Sequence, residues 1–218
     1  MSRISIPVFT VFACALGLLQ GQADPPKQVA PPKDEGLPAR ATPADYQFHA
    51  QAGNLTLAAE FTGHNVGTPE GTLTTEDYVV VEAAIYGPDG ARTTLSPTDF
   101  TIRINKKKPE TAQPYGLVVS TLKDFQLEPT AAEQKEKTSV STGGGQKDNS
   151  PPPPFRVPDA VRHEWRIRLQ KISMPEGDRA LPKAGLLYFP YRGKTDKIQS
   201  IELTYNGPAG KCSMALEP

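Results

Sequence analysis

The last two strand-like segments of the sequence are runs of alternating apolar and polar residues, and they constrain its fold more than any other feature. Residues 201–205 and 211–217 each alternate with a period of two, which places the apolar side chains of each run on one face of a strand. Those apolar residues are Ile201, Leu203, Tyr205, Cys212, Met214 and Leu216. With turn residues 206–210 between them, the runs predict an antiparallel hairpin. A hairpin cannot bury its inner face alone, so earlier strands must supply an opposing sheet.

Other runs have the same strand-like character. Residues 186–191 are apolar at nearly every position, which predicts a strand covered on both faces. Residues 55–61 alternate, and residues 78–86 carry apolar side chains on both faces, as expected of a central strand. Shorter strands are predicted at 100–104 and 115–122, and a polar loop is predicted at 64–68.

One helix is predicted over about 158–173, because its apolar residues recur at helical spacing. These residues are Val161, Trp165, Leu169 and Ile172. Pro158 suits the first helical position, and Pro175 ends the run. Because the only tryptophan lies on the apolar side, we expect Trp165 to anchor the helix over an open end or edge of the strands.

Residues 1–23 have the features of a secretory signal peptide. Arg3 gives a positive start, an apolar run follows, and small residues before position 24 predict cleavage after Ala23. The apolar run is shorter than the ~20 residues that span a bilayer, so no transmembrane span is expected after cleavage. Lipid attachment at Cys14 is the alternative. We therefore expect an exported protein that is periplasmic, secreted or associated with the cell envelope.

Two low-complexity stretches flank or interrupt the strands. Proline accounts for 23 of the 218 residues, about twice the usual share of roughly 5%. Residues 24–43 are rich in proline and predict a disordered tether, and residues 128–157 combine a glycine run with four consecutive prolines and predict a long disordered loop. The folded domain is therefore expected at 44–218.

Charge and motif content argue against several classes of function. Lysine plus arginine and aspartate plus glutamate number 24 each, so no net field favours nucleic acid or an anionic membrane surface. His49, His64 and His163 are far apart, and none has a second ligand at zinc spacing. No nucleophile or phosphate-loop motif is present in the sequence. We therefore predict no catalytic, cofactor-binding or metal-binding residues, and a protein that is not an enzyme.

Three segments resemble the immunoglobulin-like, telokin-like domains of uncharacterised function found in bacterial exported proteins. They are residues 76–90 (EDYVVVEAAIYGPDG), 96–105 (SPTDFTIRIN) and 184–216, which contains LLYFPYRG and SIELTYNGPAG. The resemblance implies an antiparallel immunoglobulin-like β-sandwich. The predicted fold is therefore mostly β, and it departs from a compact sandwich by the one short helix and the long disordered insertion that the residues themselves predict. These motifs are packing and turn residues, so the resemblance implies a fold and supplies no catalytic residues.

Two functions follow as hypotheses. The first is a non-enzymatic binding or assembly module that recognises a protein partner in the cell envelope. The second is a carrier for a small ligand or carbohydrate that uses a pocket between the helix and the sheet. For the second, Trp165, Tyr188 and Tyr191 are the candidate ligand-binding residues, because their rings could stack on a ligand.

Overall fold

The computed structural model describes residues 36–124 and 157–218, which form a mostly β structure. Its strands are β1 (Phe48–Ala52), β2 (Leu55–Gly63), β3 (Asn65–Thr68), β4 (Gly71–Thr75), β5 (Tyr78–Tyr86), β6 (Arg92–Leu95), β7 (Phe100–Ile104), β8 (Glu110–Thr111), β9 (Leu122–Lys123), β10 (Gly177–Ala180), β11 (Lys183–Pro190), β12 (Ile201–Gly207) and β13 (Gly210–Leu216). Two helices accompany them in the described residues, α1 (Tyr115–Val118) and α2 (Asp159–Ile172). The predicted signal peptide, most of the predicted tether and the low-complexity loop up to residue 156 lie outside the described residues.

Eight of the strands build two antiparallel sheets. Sheet 1 has the strand order β1-β2-β5-β11, and sheet 2 has the order β13-β12-β7-β8. The predicted closing hairpin is confirmed, since β12 pairs with β13 in a register that places Ile201 opposite Leu216 and Tyr205 opposite Cys212. Among the smaller pairings, β3, β4 and β9 form one sheet, and β6 pairs with β10.

The main core lies between the inner faces of sheets 1 and 2. Its largest fully buried side chains include Leu57, Ile85, Leu187 and Phe189 from sheet 1 and Phe100, Ile102, Leu203 and Tyr205 from sheet 2. β5 lies between β2 and β11 and is buried on both faces, which confirms that residues 78–86 form a central strand. Cys212 follows the inward parity of β13 and is half-buried against this core, and burial raises the pKa of its thiol.

A second core covers the outer face of sheet 1. Its members are Trp165, Leu169 and Ile172 from α2, Val80, Leu186 and Tyr188 from sheet 1, Val66 and Leu73 from the β3–β4 hairpin, and Val118, Val119 and Leu122 from the segment around α1. The predicted helix is therefore confirmed, but α2 packs over a face of the sheet instead of an open end or edge. The reason is that β5 and β11 carry apolar side chains on both faces. The apolar side chains on the outer face of sheet 1 must therefore also be buried, and α2 packs over them.

The prediction of a strand at 115–122 was wrong. The structure has a helical turn at Tyr115–Val118, a 3-10 turn at Val119–Thr121 and only two strand residues, Leu122–Lys123. Two adjacent valines suggested a strand, but the residues of this segment that pack into the second core are Tyr115, Val118, Val119 and Leu122. Their spacing is that of one face of a helix.

The polar loop predicted at 64–68 was also wrong, because β3 and β4 form a hairpin there. Each strand buries one apolar residue, Val66 or Leu73, and its other positions are mostly threonine, asparagine or glycine. A single apolar residue gives no alternating pattern to read. β1 was missed for a related reason, since Phe48, Ala50 and Ala52 face the core but two of them are small.

Residues 36–43 pack on sheet 1, although the sequence analysis assigned them to the tether. The backbone N–H of Leu37 donates to the carbonyl oxygen of Ala184 at 2.9 Å. The Arg40 guanidinium contacts Glu60 at 2.6 Å and Glu82 at 3.1 Å, and it lies 4.2 Å over the ring of Tyr46. These contacts hold the start of the domain against the outer face of β2 and β5.

We expect Arg40→Ala to lower the free energy of unfolding by about 1 to 2 kcal/mol, since it removes two partly exposed ion pairs and one cation–π contact. Arg40→Lys should recover less than half of that loss, because one ammonium group cannot reproduce the planar fork that reaches Glu60 and Glu82 together. Urea denaturation of the wild type and both variants measures the difference. Equal stability of all three proteins would contradict this account of the segment.

Candidate functional site

The free edge of β11 is covered by three segments that are distant in sequence. The backbone N–H groups of Leu37, Met174 and Gln113 donate to the carbonyl oxygens of Ala184, Leu186 and Tyr188 at 2.9, 3.0 and 2.7 Å. An exposed edge strand invites pairing with another chain, and these hydrogen bonds satisfy the edge internally. They also fix the end of α2 and the residues before α1 at successive positions along this same edge of β11.

A cavity of about 220 Å³ lies between these two segments and β11. It is lined by Pro97, Gln113, Pro114, Tyr115, Gln170, Ser173, Met174, Pro175, Glu176, Leu186, Leu187 and Tyr188. The volume is below the roughly 300 to 1,000 Å³ of sites for drug-sized ligands. The cavity, which we call the α2 cavity, therefore suits a small molecule.

Two buried hydroxyl groups lie in the wall of the α2 cavity. Ser173 is 8% exposed and Tyr188 is 1% exposed, and their oxygens are 3.1 Å apart. The Ser173 hydroxyl donates its only hydrogen to the carbonyl oxygen of Leu169, so in this pair the hydroxyl of Tyr188 must be the donor. Both hydrogens are then used within the protein. Toward the cavity, the pair can offer only acceptor lone pairs.

Burial raises the pKa of the Tyr188 hydroxyl. The hydroxyl therefore stays protonated at neutral pH. It therefore keeps the hydrogen that it donates to Ser173.

The rest of the wall combines amide, hydroxyl and carboxylate groups with flat apolar surfaces. The side-chain amide of Gln113 donates one hydrogen to the carbonyl oxygen of Thr111 at 3.2 Å, and its oxygen stays able to accept. The exposed carboxylate of Glu176 adds a negative charge at the mouth. The half-buried ring of Tyr115 lines the cavity and supplies an aromatic surface.

The three ligand-binding residues proposed from the sequence do not lie together. Of these, only Tyr188 lines the α2 cavity, and the whole residue is only 1% exposed, so it has no open ring face for stacking. Trp165 is 2% exposed within the second core. Tyr191 packs against the main core, stacks on His64 at 6.1 Å and lines a different cavity.

The aromatic residue at the site, Tyr115, was missed because the sequence analysis placed it in a strand. Pro114 gave the available signal, since proline is common at the start of a helix. Ser173 carried no signal of its own, because its role depends on the bridge between residue 173 and β11.

The histidines have structural or exposed positions. His64 contacts the carbonyl oxygens of Tyr78 at 2.6 Å and Gly193 at 2.8 Å, which ties the turn after β2 to the loop after β11. His49 on β1 and His163 on α2 are exposed. Among residues 36–124 and 157–218, no group of three histidine, cysteine, aspartate or glutamate side chains could hold a metal ion.

Across the part of the chain that the structure describes, no helix has the length and apolar character needed to cross a membrane. Comparisons of the chain with protein-family models, with curated proteins and with solved structures found no match.

Proposed function

We propose that this chain is an exported, non-enzymatic binding domain whose ligand site is the α2 cavity. The observation that carries the proposal is the hydroxyl chain from Tyr188 through Ser173 to Leu169, which presents only acceptor lone pairs to a small cavity. Such an arrangement selects a ligand by its hydrogen-bond donors. Export is proposed from the leader at residues 1–23.

We also propose that sheets 1 and 2 form an immunoglobulin-like sandwich. The strand pairing supports this, since β5 pairs with β2 and with β11, as strand B pairs with A and E in that fold. In sheet 2, β12 pairs with β7 and β13, as strand F pairs with C and G. β1, the β3–β4 hairpin and α2 are then additions to the sandwich, and α2 creates the cavity.

The ligand class follows from the wall of the α2 cavity. Acceptors at Tyr188, Ser173 and Gln113 favour a ligand with several hydroxyl or amino hydrogens. A half-buried tyrosine beside two prolines gives a flat surface for the apolar face of a sugar ring. The carboxylate of Glu176 favours a cation over an anion. We therefore propose a monosaccharide or a similar small polyol, with an amino sugar preferred to an acidic one.

We expect calorimetric titrations with glucosamine, glucose and glucuronate to give affinities that fall in that order. Fully O-methylated glucose should not bind, because it has no hydroxyl hydrogen to donate. Tyr188→Phe should weaken glucose binding about five- to tenfold, the equivalent of about 1 to 1.4 kcal/mol for one lost hydrogen bond. Tyr191→Phe is the matched control and should bind as the wild type does, since Tyr191 does not line this cavity.

Equal loss of affinity in Tyr188→Phe and Tyr191→Phe would show that the site is elsewhere. Binding of O-methylated glucose as tightly as glucose would contradict the hydrogen-bond argument. If no sugar or polyol of the panel bound, the proposed ligand class would be wrong.

The second candidate function is an assembly module with a protein partner in the cell envelope. It is favoured by two large hydrophobic side chains that are exposed on the helices, Leu117 on α1 at 53% and Ile167 on α2 at 41%. Such side chains are common anchors of protein interfaces when they lie together. Pull-down from envelope extracts with the wild type and with a Leu117→Glu, Ile167→Glu variant tests it. Recovery of the same proteins with both would count against these residues as the interface.

A further inference from the structure

A second cavity lies at the corner where β7 ends and β11 ends. Its volume is about 250 Å³, and it shares no lining residue with the α2 cavity. The apolar lining consists of Ile102, Ile104, Pro190 and Tyr191, and the charged lining consists of Lys107, Lys108 and Glu110. We call it the corner cavity. Ile102 and Ile104 belong to the main core and Tyr191 packs against it, so the lining is continuous with that core.

The backbone that carries the lysines has an uncommon conformation. Asn105 and Lys106 have φ angles of 51° and 59°, and the N–H of Lys107 donates to the carbonyl oxygen of Ile104 at 3.0 Å. Two consecutive residues with positive φ make a tight turn of the kind that normally uses glycine at its second position. Lysine is rarely found in this left-handed region, because its Cβ crowds the backbone.

The turn is held in place by hydrogen bonds to the segment before β12. The Asn105 side-chain oxygen accepts from the N–H groups of Gln199 at 2.7 Å and Ser200 at 3.2 Å, and its amide donates to the carbonyl oxygen of Lys197 at 2.8 Å. An uncommon backbone conformation that its surroundings enforce is often part of a binding site. The turn at Asn105 and Lys106 directs the chain back toward the corner cavity directly after β7.

We propose that the corner cavity binds amphiphilic carboxylates, such as medium-chain fatty acids. The alkyl chain would lie against Pro190 and Tyr191, the partly exposed apolar residues of the lining, where burial of apolar surface favours binding. The carboxylate would lie at Lys107 and Lys108. Two ammonium groups against the one carboxylate of Glu110 leave the lining net positive, so an anion is favoured over a neutral or cationic head group.

Titration with octanoate below its micelle concentration, followed by calorimetry, tests the proposal. We expect octanoate to bind the wild type, and octanol, which has the same chain without the charge, to bind more weakly. Lys107→Gln with Lys108→Gln should weaken octanoate binding about three- to tenfold, as expected for the loss of two solvent-exposed ion pairs. Lys106→Gln is the matched control, because Lys106 belongs to the same turn and does not line this cavity.

Glu110→Gln is a variant that we expect to bind octanoate more tightly than the wild type does. Removing the only carboxylate of the lining should tighten octanoate binding, and a loss of affinity would contradict the charge argument. The proposal is also overturned if octanoate does not bind, if octanol binds as tightly as octanoate, or if Lys106→Gln loses as much affinity as the double variant. Unchanged glucose affinity in the double variant would show that this site is separate from the α2 cavity.

Discussion

Gly185→Ala is expected to destabilise the domain by about 3 kcal/mol, the upper range for overpacking a well-packed site. A Cβ atom at Gly185 would lie 2.4 Å from both the N and the Cα of Met174 and 2.7 Å from the carbonyl carbon of Ser173. These are backbone atoms, so no side chain can rotate to make room. The end of α2 would have to separate from β11, which breaks the hydrogen bond from the Met174 N–H to the Leu186 carbonyl oxygen.

The matched control is Gly67→Ala. Gly67 is also a strand residue, in β3, and a Cβ atom there would meet no atom within 4 Å. We expect Gly67→Ala to leave the free energy of unfolding unchanged or to raise it slightly, since alanine restricts the unfolded chain. Urea denaturation followed by circular dichroism compares the two variants. If both variants were equally stable, α2 and β11 could not approach each other as closely as the structure shows.

Trp165→Ala is expected to cost about 3 to 5 kcal/mol, as for other large buried aromatic side chains. Trp165 is 2% exposed and belongs to the core that joins α2 to the outer face of sheet 1. Its loss would leave a cavity in the second core, and α2 should detach at a lower denaturant concentration than the sheets. Far-ultraviolet circular dichroism of the variant measures this directly.

Ile167→Ala provides the control on the same helix. Ile167 is 41% exposed on the opposite side of α2, so its truncation should change stability by less than about 0.5 kcal/mol. An equal cost for both truncations would mean that the face of α2 that packs on sheet 1 is not the one that carries Trp165.

The strands of the main core could be predicted from the sequence because their signal is local. β2, β5, β7, β12 and β13 each place apolar residues two apart, and this pattern fixes which side chains meet the opposing sheet. The helix was also predicted, because Trp165, Leu169 and Ile172 recur at helical spacing. The β3–β4 hairpin was not, since one apolar residue per strand is too little for a periodic pattern.

The candidate site could be predicted only in part. Tyr188 was predicted because its ring could stack on a ligand, and it does line the α2 cavity, but the residue is only 1% exposed. Ser173, Gln113 and Tyr115 meet Tyr188 only because separate segments bridge to the edge of β11. No local pattern encodes those bridges. Arg40 was missed for the same reason, since Glu60 and Glu82 become its neighbours only when β2 pairs with β5.

Amide chemical-shift mapping during a titration with glucosamine is the most direct test of the proposed binding site. We expect the largest shifts on residues 113–115, 170–176 and 186–188, and we expect Tyr188→Phe to reduce all of them together. Shifts concentrated on any other surface of the domain, or none at saturating sugar, would contradict this prediction.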